Sequence, residues 1–143
     1  MSSLGLVEAE EVRQVIRECL NASRAWDNIT MTRIFASDTQ SIHFGTAAEE
    51  TYHGGDAYLR AMREQHTSTI PDMEFDFLPG SPVVQARDNV AWVVGEARIS
   101  GTANHRYFQI NTRVSFVLEK LDGTWRIVHS HYSIGVPAPN EMR

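Results

Sequence analysis

One change of hydrophobic period constrains this chain more than any other feature. Up to about residue 70, apolar residues recur mainly at three- and four-residue spacing. Beyond that point they alternate with polar ones. These two periods belong to helices and strands respectively. Helices first and strands afterwards predict an α+β fold, with helices packed on one face of an antiparallel sheet.

Val12, Val15, Ile16, Cys19 and Leu20 form one stripe, which predicts a helix over Glu8–Ser23. A short helix is expected over Asn28–Phe35, and Thr39–Gly45 reads as a strand. A third helix follows Gly54-Gly55, with Asp56 in its first turn, where the macrodipole favours an anion. Tyr58, Leu59 and Met62 form its buried side, and it ends before Pro71. Met73, Phe75 and Phe77 then alternate with Glu74 and Asp76, and Pro79-Gly80 breaks the run. Strands are expected over Val90–Ser100, Arg106–Glu119 and Trp125–Ser133, with Asp122-Gly123 as the hairpin signal between the last two.

A chain of 143 residues is read as one domain spanning 1–143. Folding at this length buries roughly two-thirds of the unfolded surface, enough for a core without metal or disulfide staples. The net charge of −5, with no basic stripe, excludes the usual nucleic-acid modules. No apolar run approaches the roughly 18 residues of a membrane span. Met1–Gly5 lacks the charged and apolar regions of a secretory signal. Cys19 has no partner for an internal disulfide, so a reducing, cytoplasmic setting is expected, with the thiol as a small buried hydrophobe.

Two segments go further. Thr112-Arg113-Val114-Ser115 followed by Asp122-Gly123-Thr124-Trp125-Arg126-Ile127-Val128-His129-Ser130-His131-Tyr132-Ser133 resembles the closing motif of SnoaL-like domains of the nuclear transport factor 2-like superfamily. Phe44-Gly45-Thr46 through Glu50 to Gly54-Gly55-Asp56 resembles the segment before their third helix. The closing motif also resembles the association domain of calcium/calmodulin-dependent protein kinase II. The resemblance implies a cone: three N-terminal helices packed on a strongly curved antiparallel sheet. It also implies a homodimer through the outer sheet face, with the kinase-type ring as the larger alternative. It leaves function open, because the fold hosts isomerases, dehydratases, hydrolases and non-catalytic modules.

Alternation places Trp92, Val94, Glu96 and Arg98 on one face of their strand, and Arg113, Ser115 and Val117 on one face of theirs. It also puts Trp125, Ile127, His129 and His131 on a common face. The resemblance to the kinase association domain makes Arg113 the expected pocket residue, where it would hold a carboxylate bidentately. Tyr52, Trp92, Ser115 and His129 are the other expected ligand-binding residues. By comparison with ketosteroid isomerases, His43 falls at the place of their carboxylate base. The matching hydrogen-bond donors fall near Cys19 and Thr112-Arg113, so that isomerase residue set is not retained.

Two readings follow. In one, the cone binds a small, partly apolar molecule, an anion among the candidates. In the other, a cofactor-independent isomerase, dehydratase or hydrolase uses His43 as general base with Glu96 and Arg113, which requires all three to converge in one cavity. No cofactor is expected. No metal is expected either, since the His129-x-His131 pair lacks a third ligand. His66 is expected on a solvated loop.

Overall fold

The computed structural model describes residues 3–139. Helices α1 (Ser3–Arg24) and α2 (Asn28–Ile34) precede strands β1 (Ile42–Phe44) and β2 (Thr51–His53), and α3 (Gly55–Glu64) runs into a π-helical turn, Gln65–Thr69. Strands β3 (Glu74–Phe77), β4 (Val83–Arg87), β5 (Val90–Ala103), β6 (Arg106–Leu121) and β7 (Thr124–Ser133) complete the chain. The α+β order and the three helices match the expectation.

Helix α1 buries Ala9, Val12, Ile16, Cys19 and Ala22, a ladder of three- and four-residue steps. It is longer than its stripe suggested, starting at Ser3 and running through Gly5. Asp27 starts α2 by accepting the Thr30 amide proton on Oδ1 at 3.2 Å. Helix α3 begins where an added Cβ at Gly55 would land on the Ala36 carbonyl, so only glycine lets the helix sit that close.

The sheet has the order β2-β1-β7-β6-β5-β3, with β4 also paired to β5. Its long pairs are antiparallel, but β1 lies parallel to β7. The chain leaving α2 already runs beside β7 in the same direction, the Ala36 amide donating to the Ile127 carbonyl at 3.0 Å, and β1 continues that path. Strands β3 and β4 occupy one edge of β5 end to end, opposite Ala97–Ser100 and Val90–Val94. Between them the Leu78 amide donates to the Glu96 carbonyl at 2.9 Å, and the Glu96 amide donates to Ser81 Oγ at 3.0 Å. The β6–β7 hairpin turns on Asp122 and Gly123, both at positive φ, as that pair predicted.

A bulge in β7 decides which side chains face the helices. Leu118 is paired with Ile127, but Val117 is paired with His129, so Val128 is an extra residue. Before the bulge, Trp125 and Ile127 are buried on the helix side; after it, that side belongs to Ser130 and Tyr132. His129 and His131 therefore lie on the outer face. The expected common face for Trp125, Ile127, His129 and His131 is corrected, because simple alternation carries no bulge.

Candidate functional site

Between the helices and the inner face of the curled sheet lies a cavity of about 230 Å³. Its wall is largely aromatic: Trp26, Phe35, Tyr58, Phe75, Phe108, Phe116 and Tyr132 contribute. Met31, Met62 and Met73 add three flexible thioethers. The lining includes one carboxylate, Glu50, and no arginine or lysine.

Each region of the chain supplies part of this wall. Cys19, Leu20 and Ser23 come from the C-terminal half of α1; Tyr58 and Met62 come from α3. Gln65 and His66 come from the π-helical turn, a distortion that recurs at functional positions. His66 stacks on Trp26 with centroids 5.7 Å apart and planes at 28°. Burial holds the His66 ring below its ordinary pKa, so it is neutral at physiological pH. This corrects the solvated reading of His66. Burial also pushes the Cys19 thiol up to about 12, which leaves it a packing group rather than a nucleophile.

Behind the cavity wall lies a polar chain. His43 is fully buried, and its Nδ1 is 2.7 Å from Ser130 Oγ. Its ring stacks on Tyr58 at 4.3 Å and 18°. The side chains of Tyr132 and Ser130 beside the Tyr58 hydroxyl offset part of the effect of its burial. His43 Nε2 has no partner. Burial, with His129 nearby, lowers the His43 pKa to about 4, so the ring is neutral at pH 7. Burial raises both tyrosines, which stay protonated hydroxyl donors.

The expected site residues separate. His43 lies inside the fold but behind Tyr58, and is not among the lining residues. Tyr52 faces inward and packs edge-on against Tyr58 with centroids 5.8 Å apart, supporting the wall from outside. Trp92, Glu96, Arg113, Ser115 and His129 lie on the outer face, in the registers Trp92–Val117–His129 and Glu96–Arg113. The His129 ring N–H donates to the Ile42 carbonyl at 2.6 Å, a structural bond. Glu96, Arg113, Ser115 and His131 line a separate groove on that face. The His43–Glu96–Arg113 set is thereby corrected, because the buried sheet layer stands between the first residue and the other two. Among the described residues no cluster of three or more His, Cys, Asp or Glu is placed to hold a metal.

Helices packed on a curled, open sheet are the fold of nuclear transport factor 2-like proteins, as comparison with solved structures shows. A superfamily member from Salmonella enterica serovar Typhimurium superposes with a TM-score of 0.79 at 17% identity, over 91% of this chain and 92% of that one. A candidate dehydratase of the same class from Streptomyces avermitilis gives 0.78 at 13% identity, over 92% and 98%. The calcium/calmodulin-dependent protein kinase II hub of S. rosetta gives 0.73 at 20% identity, over 89% and 96%. Among curated protein sequences none matches the chain significantly. The family model of the SnoaL-like domain matches residues 12–138, and the chain belongs to that family.

Proposed function

We propose that this SnoaL-like chain is a binding protein whose cone holds one compact, largely apolar organic molecule. The cavity wall carries this reading. An apolar chamber with a few convergent polar groups is the usual form of a small-molecule site. A dry cavity of about 150 Å³ takes benzene, so a chamber of about 230 Å³ suits one substituted ring of roughly ten heavy atoms. Tyr58 and Tyr132 offer hydroxyls backed by Ser130, and His43 acts through Ser130 as a positioning residue.

A second copy of the chain is part of the proposal. The outer face of β4 and β5 presents Val83, Val90 and Val94 to solvent, and Val94 also lines the groove of Glu96, Arg113 and His131. Cytoplasmic residence belongs to the same reading. Among the described residues no helix is long and apolar enough to cross a membrane.

Calorimetric titration with indole tests the cavity. Saturable one-to-one binding per chain is expected, and Ile110→Trp, which narrows the chamber, should weaken it at least tenfold while the circular dichroism spectrum stays native. Equal binding by the two proteins would refute the proposal.

A further inference from the structure

We infer that the cavity selects an amine: a protonated nitrogen facing Glu50, with its apolar body among the aromatic rings. The inference rests on the cavity reading above and deepens it.

The first observation is the sign of the charge. Glu50 is the one lining residue with a formal charge at neutral pH, since Asp, Lys and Arg do not contribute to the wall. His66 does not reverse that sign, because burial keeps its ring neutral. A carboxylate ligand would meet Glu50 with no cation to offset it, and like charges in a poorly hydrated site repel strongly. The expected anionic ligand is thus disfavoured, the arginine meant to hold it being on the outer face.

The second observation is the ring content. Aromatic faces attract cations, and an ammonium gains most where water is excluded. Trp26, the ring type best suited to this, lines the same cavity as Glu50. Tyrosine hydroxyls at Tyr58 and Tyr132 add neutral polar partners, so the cation need not rely on the carboxylate alone.

The third observation concerns how Glu50 is held. Its Oε1 accepts the Ala47 amide proton at 2.9 Å, and its side chain lies over Gly45, where an added Cβ would come within 2.8 Å of the Glu50 Cβ. The carboxylate is thus fixed by the β1–β2 loop rather than free in solvent. A glutamine can accept the same amide proton, so Glu50→Gln removes the charge and keeps the loop.

Three ligands of matched shape test the inference: 2-phenylethylamine, 2-phenylethanol and phenylacetate, titrated calorimetrically alongside indole. The amine should bind at least tenfold more tightly than the alcohol, and phenylacetate more weakly than either. In Glu50→Gln the amine and the alcohol should agree within about twofold. Raising salt from about 20 to about 500 mM should shrink the amine's advantage in the native protein, because an ionic contact is screened. Amine and alcohol of equal affinity, or a preference that survives Glu50→Gln, overturns the inference and leaves indole binding intact. If indole itself fails to bind, the cavity reading and the inference fall together.

Discussion

His43 shows how burial converts a reactive side chain into a structural one. The ring is held by Ser130 on one edge and by Tyr58 on its face, and it is neutral at physiological pH. Its folded pKa of about 4 lies below the ordinary value of 6.5, so the unfolded chain binds the extra proton first. The resulting stability is complete above pH 6.5 and is lost as pH falls toward 4. At 1.4 kcal/mol per unit, the loss across that window is about 3 kcal/mol. Urea unfolding at pH 7 and pH 4.5 should show this slope, and His43→Gln should flatten most of it. His66, shifted the same way, retains a smaller share. An unchanged slope in His43→Gln would remove the residue from this role. The position of His43 on an early strand was legible from the chain. Its distance from the cavity was not, because Tyr58, on helix α3 and fifteen residues further on in the chain, comes between them.

At the scale of elements, long periodic segments were legible and irregular ones were not. Helix α1, the β5–β6 pair and the Asp122-Gly123 hairpin followed directly from stripe, alternation and turn chemistry. Strands β2 and β4 escaped because they span three and five residues and gain order only by pairing with β1 and β5. The Val128 bulge left no local signature, yet it sets the facing of every later residue in β7. That single extra residue moved His129 and His131 outward and brought Tyr132 to the cavity. The Gly54-Gly55 pair was legible as a helix start, but the reason for glycine lies across the fold. An added Cβ at Gly55 would strike the backbone of Ala36, which no side-chain rotation can relieve. Gly55→Ala should therefore cost about 3 kcal/mol, the upper range for overpacking. Gly123→Ala, whose Cβ would meet nothing, should cost less and chiefly through its positive φ. Chemical denaturation of both variants checks the order, and equal losses would contradict it.

For the whole molecule, the two faces of one sheet divide the work. The inner face, with the helices, encloses the aromatic chamber; the outer face carries exposed valines and a polar groove. The proposed dimer through that outer face predicts that sedimentation velocity finds two copies at micromolar concentration, and that Val94→Asp yields monomers with native secondary structure. A native chain that sediments as a monomer would remove the second copy from the proposal. The central claim concerns the inner face, and its methionines report on it directly. Met31, Met62 and Met73 line the cavity, whereas Met1 and Met142 lie outside the described residues. With ¹³C-methyl-labelled methionine, a titration with indole should shift the resonances of Met31, Met62 and Met73 saturably and together. Shifts that do not saturate, or that spare these three methyls, would contradict a ligand in the cone.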